Sequence, residues 1–320
     1  MVALNPQSTI CEPQSPEFSV IITCYFEERS IDEFYERLSK ALKSLGRTYE
    51  IIFVNDGSTD KTFERLTEIF ERDAAVSAVA DLFRNAGQGA AMTAGITCAR
   101  GRHFIFLDSD LQLDPEDLPR LIAKFDEGYD FVTGYRQTRQ DSVLRMIPSR
   151  IANIIMRRVS KRALRDFGCN AKVVHGNLMR AYDFGPFKTW RLAQVVSQAG
   201  RVAEIPVNHH PRKYGKSGWT FRKLWQYNAE NVITLSDKPF QALTVACMFL
   251  SALLILRILA SWFMNFSVLS EVTSGLLLNV FLFGALVIFG VLCAVGEFSV
   301  RNFIILRREP AYIIRRILRR

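Results

Sequence analysis

Asp108 and Asp110 stand one residue apart in FIFLDSDLQLDPEDLP (Phe104–Pro119), where an apolar run gives way to an acidic, proline-terminated turn. In an extended chain, residues i and i+2 point to the same side, so both carboxylates address one space. Like charges that close repel unless something positive lies between them. Hard oxygen donors in that arrangement suit a divalent cation, Mg²⁺ or Mn²⁺.

Two further loops carry candidate chemistry. In FVNDGSTDKT (53–62), Asp56 and Gly57 form a tight turn, and Ser58 or Asp60 can cap the next helix. A cap and turn would account for the stretch; the functional alternative is that Asp56 accepts the imide N–H of a uracil-type base. LFRNAGQGAA (82–91) is a glycine-rich passage from strand to helix. It could bring backbone N–H groups and Arg84 to a diphosphate. His209 and His210 read as strand-end surface residues, because no third ligand with metal spacing lies near them.

These loops need a frame. FSVIIT (18–23), EIIFVN (50–55), VSAVADLF (76–83), HFIFLD (103–108) and YDFVTG (129–134) read as buried parallel strands. SIDEFYERLSKALKSLG, DKTFERLTEIFERD and GQGAAMTAGITCARG between them have helical spacing, the first with Gly46 as a C-cap. Strict alternation predicts a doubly wound, mostly parallel α/β sheet, whose ligands bind at the carboxyl ends of the strands. The Asp56 and Asp108 loops both fall at that rim.

The remainder of the chain is greasier and more basic. The whole chain of 320 residues is 49% hydrophobic and 23% charged, with a net charge of +9, which calls for an anionic partner. Residues 145–165 (RMIPSRIANIIMRRVSKRALR) set Ile151, Ile154, Ile155 and Val159 among six arginines and a lysine. This pattern suits an interfacial amphipathic helix, or an ordinary surface helix. Residues 240–266 and 275–298 are each long and apolar enough to span a bilayer. The segment between them carries no Lys or Arg, whereas RKYGKSGWTFRK precedes and RNFIILRREPAYIIRRILRR follows. The positive-inside rule places the α/β domain and both termini in the cytoplasm. Trp262 suits a membrane interface, and Arg257 inside the first span would cost about 2.5–3.5 kcal/mol if centred. Six cysteines without CxxC spacing read as reduced thiols. The expected divisions are a disordered tail (1–17), an α/β domain (18–235) with interfacial segments at about 145–165 and 216–235, two spans (236–300) and a basic tail (301–320).

With SVIITCYFEE (19–28), NDGSTD, RNAGQG and LDSDLQLDPEDLP in this order, the chain resembles family 2 glycosyltransferases of the GT-A fold. GYR (134–136), RDFGCNAK (165–172), EIPVNHHPRKYGKSGW (204–219) and GEFSVRNFIILRREPAYII (296–314) narrow the resemblance to the polyprenyl-phosphate glycosyltransferases. These include dolichol-phosphate mannose synthases and bacterial undecaprenyl-phosphate glucosyl and aminoarabinosyl transferases. The resemblance implies a nucleotide-sugar donor, UDP-linked, a polyprenyl-phosphate acceptor, inversion at the anomeric carbon and a homo-oligomer, a tetramer. It implies that Thr23, Tyr25, Glu27 and Asp56 line the base and ribose pocket, with Arg84, Gly87 and Asp108 also toward the nucleotide. Asp108 and Asp110 would hold the diphosphate through the metal, with Gln112 as a further ligand. Asp110, Arg136 and Asp166 would be catalytic; Arg136, Arg150, Arg212 and Ser217 would grip the acceptor phosphate. Asp166 has two readings, an orienting carboxylate or a structural partner of a neighbouring Arg.

Some positions depart from the family pattern. Phe26 follows Tyr25 where Asn is usual, Asn55 replaces an Asp, and Lys172 replaces an Arg in GCNAKVVHGNL (168–178). FGPFKTWRLAQ (184–194) also differs, which bears on sugar or acceptor choice. Two other function classes fit parts of the sequence: a polysaccharide synthase of the same superfamily, and a non-catalytic membrane-anchored nucleotide-sugar-binding module. The synthase branch carries Gln-x-x-Arg-Trp, whereas Trp190-Arg191 is reversed here. Nucleic acid is excluded as a partner, since the positive charge gathers beside the spans and no recognition motif is present.

Overall fold

The five apolar runs become strands of a sheet that has eight strands among the described residues. The computed structural model describes residues 15–136, 153, 154, 156–158, 160–182, 190, 192–211, 213, 214, 245, 246, 248, 249, 252, 253, 270–306 and 310–320. The strands are β1 (Phe18–Cys24), β2 (Tyr49–Asn55), β3 (Val76–Leu82), β4 (His103–Asp108), β5 (Phe131–Arg136), β6 (Lys172–Val174), β7 (Val202–Val207) and β8 (Ile314–Arg319). Helices α1 (Ile31–Lys43), α2 (Thr62–Arg72), α3 (Gln88–Cys98), α4 (Leu118–Asp126), α5 (Gly176–Arg180) and α6 (Leu192–Gln198) accompany them, and α7 (Ser270–Leu306) belongs to a second unit.

The sheet order is β7-β5-β6-β4-β1-β2-β3-β8. β1, β2, β3 and β4 pair in parallel, as do β5 and β7. The five predicted strands are present, but they are not all neighbours. β6 inserts between β4 and β5, antiparallel to both. The sheet is therefore mixed, with its parallel part centred on β1.

Alternation along the strands sends side chains to two helix layers. Val20 and Ile22 join Phe34 and Leu38 of α1 and Leu66 of α2 in the main apolar cluster. α1 opens with Asp32 and Glu33 and closes with Lys40 and Lys43, signs that suit the helix dipole. Gly46 lies just past that helix with φ +63°. On the other face, α3 is built from small residues. A Cβ at Gly95 would lie 2.4 Å from Ile21 Cγ2, so only Gly lets the helix lie this close to the sheet.

The C-terminal residues depart from the expected basic tail. β8 runs antiparallel to β3 and covers what would be an edge of seven buried residues. Arg316 donates to Asp81 Oδ2 at 2.9 and 3.1 Å, and its guanidinium lies over the Phe63 ring. Arg320 donates to the carbonyls of Phe70 and Asp73 at the end of α2.

In the second unit α7 is continuous over 37 residues. Leu277, Phe281, Phe289, Leu292 and Phe298 are exposed along it. Counted over the described residues, no helix is long and apolar enough to cross a membrane. Most of the first expected span, including Arg257 and Trp262, lies outside the described residues, as does the segment at 216–235. Of the apolar stripe at 151–159, only Ile154 is described, and it is exposed. Arg157 and Arg162 in that stretch donate to protein carbonyls, Arg157 to Leu164 and Arg162 to Val196 and Ser197 at the end of α6. Cys24, Cys98, Cys169 and Cys293 are free thiols. Burial pushes the Cys169 thiol up to about 11, which leaves it unreactive.

Candidate active site

β4 ends at Asp108, in parallel register with Thr23 at the end of β1. Ser109 Oγ donates to the Thr23 carbonyl at 3.0 Å and locks the two strand ends together. Leu111 takes φ +58° and turns the chain, and Asp110 Oδ1 accepts the Gln112 N–H at 3.1 Å. Both carboxylates thus stand at the rim the sequence predicts.

Asp108 is held from two sides. Gln88 Nε2, at the start of α3, donates to Oδ1 at 2.7 Å. Asn170 Nδ2 donates to Oδ2 at 2.7 Å. Burial, and then the charge of Asp110, push the Asp108 carboxyl up to about 6. A pair of carboxylates with one destabilised in its charged form is what a cation would relieve. Among the described residues no group of three or more His, Cys, Asp or Glu could hold an ion. A cation here would complete its oxygen shell from a bound diphosphate. The donor set fits such an ion.

Gln112 reaches the site through its backbone. Its side-chain amide donates toward the His210 carbonyl at 3.5 Å, and His210 N–H donates to the Gln112 carbonyl at 2.9 Å. The acidic turn that follows is structural. Asp114 and Glu116 pair with Arg37 of α1, His210 Nε2 lies 2.9 Å from Asp114, and Asp117 accepts the Asn208 N–H. These contacts fasten the Asp108–Gln112 loop to α1 and to the segment after β7.

The Asp56 and glycine-rich loops meet each other. Asp56 Oδ1 accepts the Ala86 N–H at 2.7 Å, and Oδ2 accepts the Gly87 N–H at 3.0 Å and Asn85 Nδ2 at 3.1 Å. A carboxylate has about four acceptor positions, so three of them shape the loop. Gly87, with φ +89°, leads into the N-terminus of α3, where unpaired N–H groups favour an anion. Arg84 is exposed beside it. Asn55, in place of the usual Asp, donates from Nδ2 to Asp81 Oδ1 at 2.8 Å. A second carboxylate there would face the buried Asp81 charge, so the amide is the compatible choice.

The remaining expected residues divide. Tyr25 and Phe26 are exposed and stack edge to face, with centroids 4.5 Å apart. Phe26, at φ +58°, is held by its N–H to Ser58 Oγ. Glu27 is buried, and its carboxylate accepts the Ser30 hydroxyl at the start of α1. That contact makes it a helix-entry residue. Arg136, at the end of β5, donates to Asp166 Oδ2 at 2.7 Å and Oδ1 at 3.0 Å. Of the two readings of Asp166, this bidentate pair makes it the partner that orients Arg136. Arg150, Arg212 and Ser217 lie outside the described residues.

Sequence reasoning missed Gln88, Asn170 and Lys172 as parts of the site. Lys172 stood in view as a departure from a pattern, and Asn170 only as part of the RDFGCNAK stretch. Their signal was register: once Phe106 pairs with Lys172, position 170 falls opposite Asp108.

Residues 19–190, more than half of the chain, match the glycosyl transferase family 2 domain. The chain belongs to glycosyl transferase family 2. Among curated relatives, the undecaprenyl-phosphate 4-deoxy-4-formamido-L-arabinose transferase of Klebsiella pneumoniae subsp. pneumoniae is 36% identical over 234 residues, 73% of this chain and 72% of the relative. The enzyme of the same name from Salmonella paratyphi B is 36% identical over 232 residues, 71% and 70% of the two chains. Among solved structures, glucosyl-3-phosphoglycerate synthase from Mycobacterium tuberculosis in complex with Mn²⁺, UDP and glucosyl-3-phosphoglycerate superimposes with a TM-score of 0.52 at 17% identity, covering 69% of this chain and 78% of that one. This glycosyltransferase therefore has a GT-A-like α/β domain with a mostly parallel, mixed sheet.

Proposed function

We propose that this glycosyltransferase moves a sugar from a UDP-linked donor to a polyprenyl phosphate, such as undecaprenyl phosphate, at the cytoplasmic face of a membrane. The observation that carries the reading is one rim that gathers an acidic pair, a helix N-terminus and an oriented arginine. Asp108 and Asp110, the start of α3 and the Asp166-bound Arg136 all lie at strand ends. The names of the 36%-identical relatives supply the acceptor class.

The reaction joins two anions. An oxygen of the acceptor phosphate attacks the anomeric carbon, a new C–O bond forms, and the bond to the nucleoside diphosphate breaks. No strong base is required, because the nucleophile is already charged. In-line attack inverts the carbon, so an α-linked donor gives a β-linked lipid phosphate. A divalent cation held by Asp108 and Asp110 would supply charge neutralisation to the diphosphate. The N–H groups at the start of α3 bind its oxygens, and Arg136 draws in and orients the acceptor phosphate. The membrane reading rests on residues 275–298, whose sequence is nearly all apolar, and on exposed Phe and Leu along α7.

The test incubates membranes holding the full chain with undecaprenyl phosphate, Mg²⁺ and a panel of radiolabelled nucleotide sugars. One label is expected to become lipid-soluble, and Asp110→Ala to abolish that transfer while the protein stays folded. Wild-type transfer in Asp110→Ala, or transfer indifferent to EDTA, refutes the mechanism.

A further inference from the structure

Lys172 is a buried ammonium in an unusual setting. It is 1% exposed, and among the described residues it makes no ion pair. Its Nζ donates to Asn170 Oδ1 at 2.7 Å. Burying a charge is costly unless neighbouring groups offset it, and the carboxylates whose charges favour this one are Asp108 and Asp166.

Register supplies the geometry. β6 pairs antiparallel with β4, Phe106 opposite Lys172. Two residues past Phe106 on β4 and two residues before the start of β6, Asp108 and Asn170 meet, with Asn170 Nδ2 2.7 Å from Asp108 Oδ2. Asn170, just outside the strand, touches both groups, so its carboxamide stands between the Lys172 ammonium and the Asp108 carboxylate.

The chemistry of the three groups fixes the direction of every bond. An ammonium can only donate and a carboxylate can only accept. Between them the carboxamide must turn its oxygen to Lys172 and its nitrogen to Asp108. The opposite orientation would set donor against donor and acceptor against acceptor. Gln88 holds the other Asp108 oxygen from the start of α3. The carboxylate is thereby fixed by two amides, one of them locked by a buried cation.

We propose that Lys172, acting through Asn170, is a positioning residue that holds Asp108 ready to receive the cation–diphosphate unit. Its charge offsets the repulsion between Asp108 and Asp110 while no cation is bound, and the amide transmits orientation. The role rests on the cation-dependent reading above. It also accounts for the Lys in place of the usual Arg: either residue keeps a positive donor at this point.

The test measures Mn²⁺ binding to the full-length, detergent-solubilised protein in saturating UDP, by calorimetry and by the electron paramagnetic resonance of free Mn²⁺. Removing a residue that orients a metal ligand lowers affinity about 10- to 100-fold. Lys172→Met and Asn170→Leu are each expected to weaken Mn²⁺ binding by that factor, with UDP affinity in EDTA unchanged. Lys172→Arg is expected to restore Mn²⁺ affinity to within about threefold. If Lys172→Met does not fold, Asn170→Leu, which leaves the ammonium in place, carries the test. Wild-type Mn²⁺ affinity in a folded Asn170→Leu overturns the positioning role and leaves the transfer reading standing. Wild-type protein that transfers sugar yet shows no Mn²⁺ binding with UDP overturns this role and the cation reading together.

Discussion

Gly57 sits where two loops of the site touch, and replacing it with Ala tests whether that contact is essential. A Cβ at this position would lie 2.3 Å from the Arg84 carbonyl carbon, 2.5 Å from Asn85 N and 2.7 Å from Arg84 Cα. Carbon atoms pack at roughly 3.5–4.0 Å, and the obstructing atoms are backbone, so no rotamer change relieves the clash. The residue also takes φ +67°, which costs an L side chain about 1 kcal/mol. Overpacking adds about 1–3 kcal/mol, for a total of about 2–4 kcal/mol. The alternative response is for the 84–87 loop to swing away, breaking the three hydrogen bonds that Asp56 accepts from Asn85, Ala86 and Gly87. At about 1 kcal/mol each the cost is similar. Gly57→Ala is therefore expected to lower the Tm of the full-length protein by about 4–15 °C. If the loop moves, UDP affinity should fall about tenfold or more, as measured by calorimetry. Gly46 is the internal control, since it has φ +63° but a Cβ added there would meet nothing within 4 Å. Gly46→Ala should cost only the conformational term of about 1 kcal/mol. A Gly57→Ala protein with the Tm and UDP affinity of Gly46→Ala would refute the reasoning.

Asp166→Ala leaves the Arg136 guanidinium without its bidentate partner; it should cost about 3–5 kcal/mol in urea unfolding and raise the acceptor KM more than the donor KM. Arg316→Ala strips the buried Asp81 of its closest cation, at 2.9 Å, leaving Arg315 at 4.0 Å. Because Arg316 is half exposed, the expected loss is about 1–3 kcal/mol, with weaker UDP binding because Asp81 also holds Asn55; unchanged Tm would contradict this. His103 is pushed down to about 4, first by burial and then by the neighbouring His175 charge. The folded state therefore binds this proton less readily than the unfolded chain. Its contribution is intact above about pH 6.5 and is lost as pH falls toward 4, by up to about 3 kcal/mol. Denaturation curves of His103→Gln should lack that part of the pH dependence.

How much of this was legible in the sequence depended on locality. β1 to β5 announced themselves as apolar runs separated by helical spacing, and their carboxyl-end loops followed. The Asp108–Asp110 spacing put both groups at the carboxyl end of β4, although the strand stops at Asp108 and Asp110 lies in the turn that Leu111 closes at φ +58°. β6 was not visible: its three residues include a Lys, and nothing nearby indicates that the charge is buried. β8 was hidden by its arginines, which read as a membrane flank; its partner Asp81 is 235 positions away. Glu27 has a local contact that its motif position did not reveal. Its motif position suggested a place in the nucleotide pocket, and its carboxylate also accepts the hydroxyl of Ser30 three residues on. Asp56 fell between, since the loop it shapes lies about 30 positions downstream.

The late return of β8 has a consequence for biosynthesis. Ribosomes emit β3 long before its outer neighbour, and the intervening stretch includes the entire second unit, residues 233–309. Until that stretch has been dealt with, one flank of the nascent sheet stays open to strand pairing with strangers. Pairing by residues 314–319 then covers that flank, and translation products cut short before that point would be natural targets for chaperones and proteases.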